Sequence, residues 1–514
     1  MKKDLATAMQ LSAENLHQCL NKDCRYLPFW LLEVSEDYHA HYRFYRSVHN
    51  IGHWWDALLR LEAATDYRIP EYLEEPMLQN LKDFYDNPDH ICIEPEGIQS
   101  DMPIPFDLHS LREGLLALCG LIQYRPGQRD WALDTAHKML QTVDRLIRPD
   151  GTLDIQTLDY CRSHPEYRCF ETPTHCHGRF IEPLIYYYEL SGDSLAYQLA
   201  DRLAQWHYEH SINPDGTMDG LPAIYHAHSY LGTLRGLFLF GKLSGQRRYI
   251  DRVQLCYQQT VMKNLVKDSG FSAHDIGADR GPEPATAGDT AQLALWFALD
   301  GRPEYLDDAE KLIRARLLPS IVWESPALYP DGEGNHDRWT NLTQRIIGAF
   351  GGMQTLPHGG KCATTDVTAA CLHTLTDIYN HIVVESESMT QVLFHFDYAS
   401  STIQITSHRE KQQASLTVQY SGGKLLQVRI PGWVDRDHLH ITVDGQTITP
   451  QFVGPFLQID GATSPMQIHI QFILPQRDII ERTDGTDYHI RFWGDEIVGI
   501  TPNVDFYPLY PTLP

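Results

Sequence analysis

No stretch of this sequence approaches 18 consecutive apolar residues, so no membrane-spanning helix is expected. Cations are scarce. Lys and Arg number 42 against 67 Asp and Glu, a formal net charge of −25. So acidic a chain repels phosphate backbones and anionic headgroups, which argues against nucleic acid or membrane as partner and for a neutral or weakly charged ligand. The ten cysteines form no Cys-x-x-Cys pair and no regular framework. The opening MKKDLATAMQLSAENLHQCL has two lysines but lacks the apolar segment of a secretory leader. Reduced thiols and a cytoplasmic location are therefore expected. Hydrophobic residues are plentiful, at 42%, so the 514 residues can bury a large core and global disorder is not expected.

What is present is a repeat. The segments from Tyr124 (YRPGQRDWALDTAHKMLQTV), Glu189 (ELSGDSLAYQLADRLAQWHY), Lys242 (KLSGQRRYIDRVQLCYQQTV) and Ala298 (ALDGRPEYLDDAEKLIRARL) share one plan. A helix ends, a glycine turns the chain, and an amphipathic helix follows. Gly127, Gly192, Gly245 and Gly301 fit the left-handed position that closes a helix. A recurring αα-hairpin means a helical array. Further helices are expected near 49–63, 74–86, 338–350 and 365–379, about twelve in all. Six hairpins closing on themselves give an (α/α)6 toroid, with an open solenoid as the alternative. Tight glycine turns alternate with long returning links such as 267–286 and 351–365. In a toroid the long links gather on one rim, where functional residues concentrate.

Near Val384 the period changes to two. TQVLFHFDYASSTIQITS, ASLTVQYSG, KLLQVRIPGW, LHITVDGQTI, MQIHIQFILP and YHIRFWGDEIVGI read as strands, with VDGQ as a hairpin turn. The expected organisation is a toroid with an N-terminal helical extension over residues 1–384 and a β-sandwich over 385–514. The face between the two is expected to be apolar.

Several segments, in order, resemble glycoside hydrolase family 127, the β-L-arabinofuranosidase-like group. They are HCHGRFIEPLIYYYELSGD, GPEPATAGDTAQLALWFALDGRPEYLDDAEKLIRARLL, CATTDVTAACLHTLTDIY, VRIPGW with ITVDGQ, and IRFWGDEIVGITPN. The resemblance implies a glycosidase acting through a pocket at one mouth of the ring. In that family a Glu, a Cys from Glu-x-Cys and a Cys-Cys pair bind zinc, and one Cys of the pair is the nucleophile. The motif spacing puts Glu283 on the metal-binding Glu and Cys362 on the first Cys of the pair. Ala285 and Ala363 take the other two cysteine positions. Two donors do not make that site, so neither zinc nor another cofactor is expected. His358 would be the one nearby supplement. Arg179 replaces a family histidine. The acid/base Glu falls within SGFSAHDIGADRG, where Asp275, with Asp279 behind it, is the available carboxylate.

The candidate catalytic residues are Asp275, Cys362, Glu283 and His274. Asp275 or His274 would protonate the glycosidic oxygen, with Cys362 as nucleophile or Glu283 as base. Plainer roles stand beside these: a packed small hydrophobe for Cys362, an Asx-turn for Asp275, and a surface acid for Glu283. Candidate substrate-binding residues are His175, His177, Arg179, His226, His228, His358 and Asp366. The His-x-His pairs also suit buried or solvated histidines, and Asp366 also suits a helix-dipole acid. Aromatics such as Tyr230 suit stacking on sugar rings. The expected partner is a carbohydrate, and a homodimer is one arrangement the sequence allows. A sugar epimerase or lyase on the same ring, or a non-catalytic carbohydrate-binding relative, is the rival reading.

Overall fold

The structure is a computed structural model that describes the chain except residues 1, 103, 105, 166–175, 220, 222–225, 278–282, 351–361, 461–464 and 505–506. Among the described residues, twelve principal helices build the first three quarters. They are α1 (Leu5–Gln18), α2 (Ser47–Ala64), α3 (Glu71–Tyr85), α4 (Leu111–Tyr124), α5 (Arg129–Leu146), α6 (Ile181–Ser191), α7 (Ser194–His210), α8 (Ala227–Ser244), α9 (Arg247–Cys256), α10 (Pro284–Leu299), α11 (Leu306–Leu312) and α12 (Thr365–Asn380).

The even-numbered helices pack on one another in sequence, and α12 returns to α2, which closes a ring. Each odd-numbered helix backs one of them, with α1 behind α12. Composition explains the division. In α8 and α10 nearly every residue is buried, polar ones included, as a helix enclosed on all sides requires. Helices α5 and α7 bury one stripe and leave charged residues outside. Close packing of α2 on α4 needs Gly52, where a Cβ would lie 2.5 Å from the Glu113 backbone. Gly192, Gly245 and Gly301 take positive φ at the expected helix ends. Gly127 instead lies in a 3-10 turn led by Pro126.

One expected helix is corrected. Residues 338–350 hold only the short helix Leu342–Arg345 amid turns, and the twelfth ring element is α1. Leu342 and Arg345 are drawn inward there, and Arg345 donates to the carbonyls of Gln18 and Asp337, each at 2.7 Å. Both Trp54 and Trp55 are fully buried in α2, edge to face.

Helix α12 ends at Asn380 and strands begin at Val383. A six-stranded antiparallel sheet runs through Met466–Ile473, Gln413–Tyr420 and Ile403–Glu410. A five-stranded sheet centres on Leu425–Arg429, paired in parallel with Met389–Val392. The Thr390 and Tyr420 hydroxyls meet at 3.1 Å between these two sheets. A third, three-stranded sheet (476–483, 486–493, 496–501) leans Tyr488, Ile490, Phe492 and Ile500 on Phe271 and Ala315 of the ring.

The face between ring and sheets, expected to be apolar, is so around Phe271 and Ala315 but also holds a charged knot. Buried Glu310 of α11 meets Arg314 at 2.8 Å, Arg429, and Arg409 at 3.6 Å. Arg409 also pairs with Asp495. A carboxylate facing three guanidiniums is held well below the ordinary range despite burial. Among the described residues no helix is long and apolar enough to cross a membrane.

Candidate active site at the mouth of the ring

The starts of α8, α10 and α12 lie at one end of the ring, and the loop 272–275 is laced between the first two. The Ala227 amide donates to the His274 carbonyl at 2.8 Å, and His226 bridges Asp275 backbone to backbone. The Glu283 amide donates to the Ser272 carbonyl at 3.0 Å, and the Ser272 hydroxyl donates to the Glu283 carbonyl at 2.6 Å. Pro284 then opens α10, its fixed φ suiting the first helical position. These bonds bring His226, His274, Asp275 and Glu283 together, although the sequence separates them by up to 57 positions.

Within the cluster, His226 Nε2 lies 3.4 Å from Glu283 Oε2, and its Nδ1 lies 2.8 Å from the Ser229 hydroxyl. His274 Nδ1 lies 2.7 Å from Asp275 Oδ1, and the two imidazole rings are 4.9 Å apart. Glu283 is 2% exposed, and beyond the His226 contact its Oε2 has no hydrogen-bond partner among the described residues. Burial opposes its ionisation, but His226 first, then His274 and His228, holds it down to about 2. Burial lowers His226 itself. Asp366 stands at the start of α12, accepting from the Val367 amide at 2.8 Å, with His49 Nε2 at 3.9 Å. Burial first, then the charge of Glu283, pushes its carboxyl up to about 6, against the pull of the Val367 amide, His228 and Arg46.

Beneath the mouth runs a ladder of buried ions. Arg179 pairs with Glu113 at 2.5 Å, and Glu113 pairs with Arg112 at 3.0 Å. Arg112 meets Glu182 at 2.8 Å, Glu182 meets Arg235, and Arg235 meets Asp289 at 2.6 Å. Asp289 in turn holds His228 Nδ1 at 2.5 Å. Two more histidines, His49 and His53, lie 3.6 and 3.5 Å from Glu113. Burial drives His53 down to about 3 and His49 well below its ordinary value.

The candidate residues thus divide. His226, His274, Asp275 and Glu283 form one cluster, and Asp366 feels the charge of Glu283. His228 sits a layer deeper. Arg179 is corrected from substrate contact to structural ion: it is 1% exposed and committed to Glu113 and His109. His177 is corrected likewise. It is fully buried, with Nε2 at 2.6 Å from the Gly151 carbonyl and Nδ1 at 2.9 Å from His207. Tyr230 is fully buried and offers no face to a sugar. His175, His358 and Asp279 lie outside the described residues.

Cys362 belongs to the strand Cys362–Thr364, antiparallel to Leu31–Val34, and the helix opens only after Thr364. The thiol therefore lies ahead of the helix and not in its first turn. Instead it lines a small apolar cavity with Val34, Val322, Leu328 and Ile346. Ala285 and Ala363 carry no side-chain metal donor. Reading the sequence missed His49, His53, His109 and Glu113. The His-x3-His spacing in HNIGHWW, which puts both rings on one helix face, was the available signal.

No family model matches the sequence, and no curated protein matches it. Among solved structures, the fold is similar to a GH127 β-L-arabinofuranosidase from Geobacillus stearothermophilus T6. The identity is 14%, covering 88% of this chain and 77% of that one, with a TM-score of 0.55. A second GH127 β-arabinofuranosidase aligns over 95% of this chain and 78% of its own at 13% identity and a TM-score of 0.56. A structure described as a glycoside hydrolase aligns over 87% and 76% at 11% identity and a TM-score of 0.55. At these identities the likeness defines the class of fold: an (α/α)6 ring of the six-hairpin type followed by a strand-rich C-terminal region.

Proposed function

We propose that the chain is a glycoside hydrolase that takes a small glycoside or oligosaccharide at the mouth of the ring. The supporting observation is the meeting there of carboxylates in opposed states: Asp366, raised to about 6, and Glu283, held near 2. Hydrolysis of a glycoside needs one group that gives a proton to the leaving oxygen and another that supplies negative charge at the anomeric carbon. Neighbouring carboxyl groups whose environments drive them apart provide that division of labour. Asp366 is the proton donor in this reading. The His226–Glu283–His274 cluster holds and orients the attacking water, with Asp275 fixing His274. Cys362 has no part in the chemistry. The arabinofuranosidases of similar fold make pentofuranosides the first substrates to try.

The test is a panel of aryl glycosides and short oligosaccharides incubated in H2(18)O. One heavy oxygen in the released sugar, lost in Asp366→Asn, supports hydrolysis. The buried neutral histidines His49 and His53 favour a second reading, sugar epimerisation or elimination by proton abstraction. In that case the product carries no added water, and the hydrolase reading falls.

A further inference from the structure

The His226–Glu283–His274 cluster has more order than a water-holding site needs. The ligand atoms of these residues all lie within 4.8 Å of one another. The 3.4 Å between His226 Nε2 and Glu283 Oε2 is close to the edge of a tetrahedron, about 3.3 Å for donors at about 2.0–2.1 Å from a zinc ion. Both imidazoles are oriented from behind through Nδ1, His226 by Ser229 at 2.8 Å and His274 by Asp275 at 2.7 Å. Such outer contacts are what fixes a metal-binding imidazole so that Nε2 faces the ion. Glu283 is 2% exposed, and beyond the His226 contact its Oε2 has no hydrogen-bond partner among the described residues.

The geometry points to a divalent metal site, with His226, His274 and Glu283 as ligands and one position open. Two imidazoles and a carboxylate are a donor set for zinc or a similar transition-metal ion, and the open position is the mark of a catalytic rather than a structural site. The other buried His-acid groups are not equivalent. Glu113, between His49 and His53, is already met by Arg179 and Arg112, which exclude a further cation. Among the described residues near the mouth, the cluster around Glu283 has no guanidinium or ammonium paired to its carboxylate. The site does not involve Cys362; it shares its residues with the proposed hydrolase site, but its test stands apart from that reading, since metal binding is measured without substrate.

The experiment is titration of the full chain, stripped with chelator, with zinc chloride by calorimetry and with cobalt chloride by visible absorption. Wild type is expected to take one equivalent, with the intense cobalt bands of a four-coordinate site. His274→Ala and Glu283→Gln are each expected to weaken binding at least tenfold. Asp275→Asn, which removes only the outer contact on a partly exposed residue, is expected to weaken it by roughly 10–100-fold. Cys362→Ser is expected to bind as wild type. Thermal melting of each variant without metal separates loss of the site from loss of fold, and Asp275→Asn serves if Glu283→Gln does not fold. No stoichiometric binding by wild type overturns the inference. So does binding that survives in all three cluster variants, or that is lost in Cys362→Ser.

Discussion

In the ladder below the mouth, carboxylates and guanidiniums alternate, Arg179–Glu113–Arg112–Glu182–Arg235–Asp289. At the mouth, Glu283 faces imidazoles instead, and the Asp366 carboxyl is pushed up to about 6. Both groups lie at the ends or along the length of the same inner helices. The difference is one of compensation. Where each ion has an opposite ion, the arrangement fixes α4, α6, α8 and α10 against one another. Where the balance is left incomplete, a proton or a ligand completes it.

Breaking the ladder has the largest expected effect. Arg235→Met leaves Glu182 and Asp289 buried with one cationic partner fewer, and unfolding free energy in urea is expected to fall by about 3–5 kcal/mol. At the mouth the comparison inverts. Asp366→Asn is expected to lower kcat by roughly 10²–10⁴-fold, the usual contribution of a positioned acid. The same change is expected to raise stability at pH 7 by on the order of 1–3 kcal/mol. The sign follows from the carboxyl, which titrates at about 6 when folded and at its ordinary value of 3.8 when unfolded. Its contribution is complete below 3.8 and lost as pH rises through 6. Wild-type kcat should accordingly fall above about pH 6, and denaturation measured at pH 5 and pH 7 should separate variant from wild type more widely at the higher value.

Acid acts on the buried imidazoles. Burial lowers His53 to about 3 and His177 and His395 to about 4 from 6.5. Their contribution is present above 6.5 and lost as pH falls toward those values, because the unfolded chain takes up the protons first. Near-ultraviolet circular dichroism should therefore record cooperative unfolding as pH falls from about 6 toward 4. The smallest effect belongs to Cys362→Ser: unchanged kcat/KM, and a stability loss of about 1 kcal/mol for a hydroxyl beside an apolar cavity.

The ring was legible because its punctuation is local. Glycine at a helix end and a 3.6-residue apolar stripe are readable from neighbours alone, and so were the period-two strands after Val384. Helix α1 was expected only as part of an N-terminal helical extension and not as a member of the ring, because its stripe, though capped by the local Asp4, has no glycine turn to mark it. The reading failed where partners are remote. Arg179 looked like a sugar contact because nothing nearby in sequence betrays Glu113, 66 positions away. The strand at Cys362 was not legible because its partner, Glu33, is remote in sequence. Glu283, His226 and His274 were named one by one. Their convergence depends on the lacing of loop 272–275, which no spacing announces.

The strand Cys362–Thr364 beside Leu31–Val34, with α12 packed on α2, joins the first and last parts of the ring. His373 and Asp56, 317 positions apart, are hydrogen-bonded across this seam at 2.7 Å. A ribosome adding roughly 5–20 residues per second leaves α2 waiting tens of seconds for that partner. Throughout this interval the nascent chain is an arc with two open ends, each exposing an apolar helix face and part of a half-matched set of charges. The ring therefore becomes a ring only near the end of its own synthesis, and arcs from two chains could complete each other where one should have closed on itself.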